Sequence, residues 1–416
     1  MTYAVVTFGC RVNQADSLGL EDALRQRGAQ PAPAESADLV IVNTCSVTAA
    51  ADQGARQVIR RIGRDNPSAQ IVVTGCYATR QPSVLAGLPG VLRVVPNEGK
   101  EGLVEIALPS GDPGPWQSAP GTWHPAVGTR TAYTLRVQTG CDEACAFCIV
   151  PSTRGRSRSV PIAAVLEEVR RVERRGFREV ALTGVHLGSY GRDLTPACSL
   201  LDLLRALDEL PGDTRFRVSS LEPMECPEAL VDLVARSGRF VPHVHLPLQH
   251  AGDRMLRLMR RPYTLDAYRA VVDRLRLLLP HAAIGTDLIA GFPGETDEDF
   301  AVNERYLPSS PLTHLHVFPY SDRPGTAASA MSGHVPGAVT RARAQRLREI
   351  GAALAARFRS AQLGSVRSAL TLEDGTLVVT DNYLKLRIPP GHARNERVDV
   401  AVEEISGEIR GRVVPR

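Results

Sequence analysis

Gly140-Cys141-Asp142-Glu143-Ala144-Cys145-Ala146-Phe147-Cys148 is the run that decides how this chain reads. Three cysteines at C-x3-C-x2-C spacing wrap one loop around a cubane iron–sulfur core, for which thiolates are the usual ligands. Three thiolates leave the fourth iron of a [4Fe–4S] cluster open. S-adenosylmethionine (SAM) can chelate that iron through its methionyl amino and carboxylate groups. Reduction of the pair then yields a 5′-deoxyadenosyl radical, chemistry that belongs to the cofactor while the protein supplies position and dryness. The competing reading is a zinc site or a redox pair. Zinc takes four ligands, and the sequence holds no fourth Cys or His close to the loop. Phe147, just ahead of the third cysteine, is placed to pack near an adenine.

The loop follows an apolar strand, 134–138, that opens a series of alternating strands and helices. Further strands are expected at 179–183, 216–219, 243–247, 283–290 and 313–319, with helices over 161–175, 200–209 and 265–279. Six strands alternating with helices predict a partial (β/α) barrel over residues 127–358, with its chemistry at the C-terminal strand ends. Beyond a long helix over 340–360, short strands at 369–372, 377–380, 383–387, 397–403 and 408–413 predict a small antiparallel β-barrel over 360–416.

Upstream, residues 1–110 also alternate, with strands at 4–8, 39–43 and 71–74 and helices at 17–27 and 52–64. That pattern predicts an α/β domain on a parallel sheet. A Gly/Pro/Ser/Trp-rich stretch, 109–127, reads as a linker; its Trp116 and Trp123 could stack on a base. Cys10, Cys45 and Cys76 each follow one of the three strands. A lone cysteine there is usually a small buried hydrophobe. Strand ends of a parallel sheet share one edge, however, so three thiolates could converge on a second cluster. Cys198 and Cys226 fit neither set.

Composition narrows the classes. Charged residues make up 23% and the net charge is +4, ordinary for a globular chain and permissive of nucleic acid. Lys100 and Lys385 are the only lysines, so nearly all the positive charge is Arg, whose planar fork suits phosphate. No apolar run reaches the length of a membrane span, and residues 1–10 do not read as a signal peptide; the expected compartment is the cytoplasm.

Thr7-Phe8-Gly9-Cys10-Arg11-Val12-Asn13-Gln14, Asn43-Thr44-Cys45-Ser46-Val47-Thr48 and Thr74-Gly75-Cys76-Tyr77-Ala78 resemble the three N-terminal motifs of the radical SAM methylthiotransferases. The central loop continuing to Ser159, with Leu182 to Gly188, Leu246 to His250 and Asp287 to Thr296, is similar to that family's barrel motifs, and the tail to its TRAM domain. The resemblance implies two [4Fe–4S] clusters, one on Cys141, Cys145 and Cys148 that cleaves SAM, the other on Cys10, Cys45 and Cys76 that handles sulfur. It implies conversion of C–H to C–S–CH3, with SAM as methyl donor and as radical source. Gly-Cys-Arg-Val-Asn-Gln around Cys10 is closest to the subfamily acting on threonylcarbamoyladenosine 37 of tRNA. The other subfamilies act on isopentenyladenosine in tRNA and on a ribosomal-protein aspartate; a non-catalytic iron–sulfur or zinc RNA-binding protein is the reading from another class. The implied partners are the tRNA anticodon stem-loop, SAM and an electron donor such as flavodoxin or ferredoxin.

Further residues are expected around SAM. Gly184 and Gly188 follow a barrel strand and would admit the methionyl group. Ser219 and Glu222 end another and would reach ribose or substrate. Gln249 and His250 end a third. Gly291 and Gly294 form a turn where backbone groups would meet adenine. Arg154, Arg156 and Arg158 would meet the SAM carboxylate or RNA phosphate. Asp287, charged in an apolar strand, calls for a partner.

Overall fold

The computed structural model of the chain describes residues 1–107, 131–218 and 221–415. The stretch read as a linker, with Trp116 and Trp123, and the expected site residue Ser219 lie outside the described residues.

The first unit is a five-stranded parallel sheet in the order Gln30–Pro31, Thr2–Thr7, Leu39–Thr44, Gln70–Gly75, Val91–Val95. Two edge strands join the three that the apolar runs indicate. Every residue of the central Leu39–Thr44 is buried, as a parallel strand covered on both faces requires. The first helix, Arg11–Gln26, starts six residues ahead of the expected position. Its opening turn is polar, with Asn13 and Asp16 buried, so apolar periodicity does not reveal it. The second, Ala49–Asp65, is capped by Thr48, whose hydroxyl accepts from the Ala51 N–H at 3.2 Å.

The central unit is a partial barrel of six parallel strands. Tyr133–Arg136, Glu179–Thr183 and Arg215–Val218 form one three-stranded sheet; His243–His245, Ala283–Ala290 and His314–Pro319 form another. A bridge between Phe216 and Phe240 joins the two halves. The open side faces the N-terminal unit. Arg136 on the first strand meets Asp16 at 2.6 Å. Beyond the last strand, Ser321 Oγ accepts from the Ala49 N–H at 3.1 Å, and Arg323 donates to Ser46 at 2.9 Å and pairs with Asp52.

The long helix Gly337–Ser360 crosses the last two barrel strands and leads into a five-stranded antiparallel sheet. Its order is Lys385–Arg387, Leu377–Thr380, Val366–Leu372, Arg397–Ile405, Glu408–Val414. The sheet curls until Gly411 packs on Ile388 and Leu386, giving a half-barrel. It docks at the opposite end of the central barrel from the cysteine loop. There the Tyr383 ring stacks on His243 at 4.4 Å and lies under the Arg217 guanidinium. No helix among the described residues is long and apolar enough to cross a membrane.

Candidate active site between two cysteine triads

The Cys141 loop is built on a buried amide. Gln138 Nε2 donates to the carbonyls of Thr139 (3.0 Å) and Gly140 (2.8 Å) and to Ser157 Oγ (2.9 Å). Its Oε1 accepts the N–H groups of Val185 and His186, both at 2.9 Å. One fully buried side chain thus ties the loop to the turn after the neighbouring strand. Gly140 has φ +73°, and a Cβ there would stand 1.8 Å from the Arg156 carbonyl oxygen, so only glycine fits.

The sulfurs are surrounded by donors. The N–H of Glu143 points at Cys141 Sγ and that of Val150 at Cys148 Sγ, each at 3.4 Å. Arg261 donates to Cys145 Sγ at 3.1 Å and pairs with Glu222. The fold also supplies the nearby histidine that the sequence does not show. His186 Nδ1 lies 3.8 Å from Cys141 Sγ, and its Nε2 pairs with Glu225 at 2.6 Å. Burial works against a charged imidazole, but Cys141 and Glu225 outweigh it and lift His186 to about 10. Burial pushes the free Cys148 thiol up to about 12 and raises Cys145 as well, although Arg261 opposes the latter. Thiolates in such a place need a cationic core. Three sulfurs, donor N–H groups and two flanking cations fit an anionic iron–sulfur cluster.

The second set stands on the edge of the N-terminal sheet. Strand register aligns Thr7 with Asn43 and Asn43 with Thr74, so the three following turns are level. Cys10 caps Arg11–Gln26 and is exposed; Cys45 is buried; Cys76 is buried and starts the short helix Cys76–Arg80. A Cβ on Gly9 (φ +91°) would stand 2.5 Å from Cys45 Sγ, and one on Gly75 (φ +100°) 2.2 Å from the Thr44 carbonyl. Both glycines therefore serve close approach. Asn13 Nδ2 donates to the carbonyls of Phe8 (2.8 Å) and Thr44 (2.9 Å), tying two turns together. Burial pushes Cys45 up to about 11, with Cys10 and Cys76 adding to the rise.

Asp16 organises the charge beneath this set. Its side chain is 1% exposed and pairs with Lys100 (2.9 Å), Arg136 (2.6 Å) and Arg154 (3.1 Å). Burial alone would raise its pKa, but the three cations override it and hold it at about 2. Three cations around one carboxylate leave an excess of positive charge, and Arg154 feels Cys76 and Cys10 directly.

Arg154 accordingly sits elsewhere than expected. Its guanidinium is buried on Asn13, Asp16 and Thr139, which leaves it no reach to RNA phosphate or to a SAM carboxylate. Arg156, in contrast, is 95% exposed along its side chain. The helix Val150–Arg154 begins two residues after Cys148 and ends on Arg154, so about 7.5 Å of helix links the two triads. Asn97 fastens it: its Nδ2 donates to the Thr153 carbonyl at 2.8 Å and lies 3.6 Å from Cys76 Sγ.

A chamber opens beside Cys148, lined by Val47, Thr48, Phe147, Cys148, Ile149, Val150, Gln249, Asp287, Ile289, Phe318, Pro319, Tyr320 and Ser321. Gln249 is held at φ +68°, its N–H donating to the Asp287 carbonyl and its carbonyl accepting from the Ile289 N–H. Phe147 packs edge-on against Phe292. The remaining expected residues separate. Gly184 is pressed on Gln138, and a Cβ on Gly188 would strike Glu225; both shape the wall behind the cysteine loop. Glu222 is engaged with Arg261 beside Cys145. Gly291 (φ +77°) turns under Thr340, and Gly294 (φ +82°) donates its N–H to the Gly333 carbonyl. Neither is among the described residues that line the chamber. His250 is fully buried on Asn303 and Glu295, a structural position.

A six-stranded partial barrel with a three-cysteine loop beyond its first strand defines a radical SAM protein. Residues 135–306 match the Radical SAM superfamily, and residues 2–95 match the uncharacterized protein family UPF0004. Across 93% of its length the chain is 35% identical to the threonylcarbamoyladenosine tRNA methylthiotransferase MtaB of Aquifex aeolicus, 96% of which is covered. It is 34% identical to the MtaB of Bacillus subtilis, with 92% and 90% covered. Over 79% of the chain it is 36% identical to the tRNA-2-methylthio-N(6)-dimethylallyladenosine synthase of Herpetosiphon aurantiacus, with 76% of that protein covered. A solved radical S-adenosylmethionine methyltransferase, TsrM from Kitasatospora setae, shares the fold at TM-score 0.57 and 18% identity, over 79% of this chain and 77% of that one. The chain belongs to the methylthiotransferase family of radical SAM enzymes. SAM and one [4Fe–4S] cluster are the cofactors that this membership carries.

Proposed function

We propose that the chain is the tRNA methylthiotransferase that converts N6-threonylcarbamoyladenosine 37 to its 2-methylthio derivative, with a second [4Fe–4S] cluster on Cys10, Cys45 and Cys76. One observation carries the reading: two cysteine triads, 131 residues apart from Cys10 to Cys141 in sequence, are brought together by the short helix Val150–Arg154, which follows Cys148 and is fastened by Asn97 beside Cys76. The chain covers 90–96% of the relatives named for threonylcarbamoyladenosine, against 58–76% of those named for dimethylallyladenosine. Within a largely apolar lining, the Gln249 amide offers a donor and an acceptor that a threonylcarbamoyl group can meet.

Cys141, Cys145 and Cys148 would hold the cluster that, with SAM, supplies the 5′-deoxyadenosyl radical. Gln138 fixes the loop that presents those sulfurs, and Arg261 and protonated His186 balance their charge. Phe147, Ile149, Ile289, Phe318 and Tyr320 give the chamber an apolar wall that keeps water from a reactive intermediate. Arg154, Lys100 and Arg136 hold positive charge under the second triad. The exposed Arg156, on the rim by the cysteine loop, is free to meet tRNA phosphate. Nucleoside mass spectrometry of tRNA from a strain lacking the gene, with and without the gene restored, tests the proposal. Loss and return of 2-methylthio-threonylcarbamoyladenosine is expected; an unchanged level of that nucleoside refutes it.

A further inference from the structure

We propose a second kind of metal site in this barrel: a divalent transition-metal ion held by His245, Asp287 and His316. Asp287 Oδ1 lies 3.0 Å from His245 Nε2 and 3.2 Å from His316 Nδ1, and the three ligand atoms all fall within 4.8 Å of one another. Ligands on a shared ion at about 2.0–2.1 Å stand about 3.0–3.4 Å apart, in octahedral or tetrahedral arrangement. Both Asp287–histidine spacings fit a coordination edge, and the donors form the two-histidine, one-carboxylate set that leaves further positions open.

The surrounding sequence builds this set. Three adjacent parallel strands contribute, with Asp287 in register with His316 and Gly285 with both His245 and His314. Side chains two residues apart share a face, so His243 and His245 stack with His314 and His316 as a column inside the barrel. His243 lies over His314 at 5.9 Å and His245 over His316 at 5.1 Å. Gly285 makes room for it, because a Cβ there would stand 2.2 Å from His314 Nε2. Asp287 lines the chamber, so open positions on the ion would face the space where the nucleoside is proposed to sit. His316, with its side chain 56% exposed, leaves the ion a way in. Nitrogen and oxygen donors at this spacing suit zinc, and equally other first-row divalent ions.

The test uses the cluster-loaded protein, stripped of adventitious metal on a chelating resin and then equilibrated with buffered Zn2+. Elemental analysis should show stoichiometric zinc beside the iron. Zinc-edge X-ray absorption should show a nitrogen/oxygen shell at about 2.0–2.1 Å without sulfur. His316→Ala and Asp287→Asn should each weaken zinc binding at least about tenfold; iron content is the control of fold for both, and the exposed His316→Ala should also leave the thermal midpoint unchanged. Zinc no higher than background, a sulfur shell at about 2.3 Å, or zinc affinity indifferent to both substitutions would overturn the proposal.

Discussion

The two triads reach similar chemistry by opposite routes. Cys141, Cys145 and Cys148 lie within one turn of chain, and their geometry is local: Gly140 and Gln138 shape the loop, and two backbone N–H groups face the sulfurs. Cys10, Cys45 and Cys76 come from three strand ends, and their geometry depends on sheet register and on Asn13 lacing two turns together. The first can be recognised by spacing; the second exists only when a parallel sheet folds in one register. The charge around them differs in the same way. Arg261 and His186 lie against the sulfurs of the first set, whereas Lys100, Arg136 and Arg154 are gathered beneath the second by Asp16.

The comparison breaks most visibly at the ligands. Cys141→Ala, Cys145→Ala or Cys148→Ala should reduce SAM cleavage to background, while Cys10→Ala, Cys45→Ala or Cys76→Ala should spare cleavage and abolish methylthiolation. Measuring 5′-deoxyadenosine and the modified nucleoside in one assay separates the two. Equal loss of cleavage in both groups would show that the triads do not divide the work.

Asp16→Asn attacks the long-range triad alone. It leaves the buried Lys100 and Arg154 without their carboxylate, and removing one partner of a buried pair costs about 3–5 kcal/mol. Thermal melts should register that loss, and iron should fall at the second set while cleavage of SAM persists. Asp16 is held at about 2, below its unfolded value of about 3.9. A depressed carboxylate stabilises above the unfolded value and loses that contribution as the pH falls through the folded one. The gap in stability between wild type and Asp16→Asn should therefore be full above about pH 4 and shrink toward about pH 2.

Gln138→Leu tests the local triad. It leaves buried carbonyls and N–H groups unmatched, at about 1–3 kcal/mol. SAM cleavage should fall while iron on Cys10, Cys45 and Cys76 is retained; an unaltered rate would show that the loop holds its shape without the amide. The smallest effect belongs to Arg156→Ala. Stability should move by less than about 0.5 kcal/mol. If Arg156 meets one phosphate, the slope of log tRNA affinity against log salt should become shallower by about 0.7–0.9.

Much of the fold is legible because apolar periodicity records burial. The barrel strands Glu179–Thr183 and Ala283–Ala290 fall where the apolar runs place them. The opening turn of Arg11–Gln26 hides because Asn13 and Asp16 are buried for polar reasons that a hydrophobic pattern cannot register. Site residues divide likewise. Glycines and cysteines stand out in sequence, but Gly291 and Gly294 serve the turn beneath Thr340 and away from the chamber. Gln138, Asp16 and Arg261 lie outside the quoted motifs and His186 inside one, but the role of each rests on a partner distant along the chain.

The amino-acid sequence by itself determined the α/β series, the cysteine loop with its cluster chemistry, and the membership those residues imply. All of these rest on spacing along the chain, which short-range geometry turns directly into structure. Only the tertiary structure decided that Arg154 belongs to the second triad, that Asp16 gathers three cations, and that His245, Asp287 and His316 meet at one point. These depend on register between strands and on one unit closing the open side of another. A side chain's charge and reach are written locally, but its partner is chosen by packing.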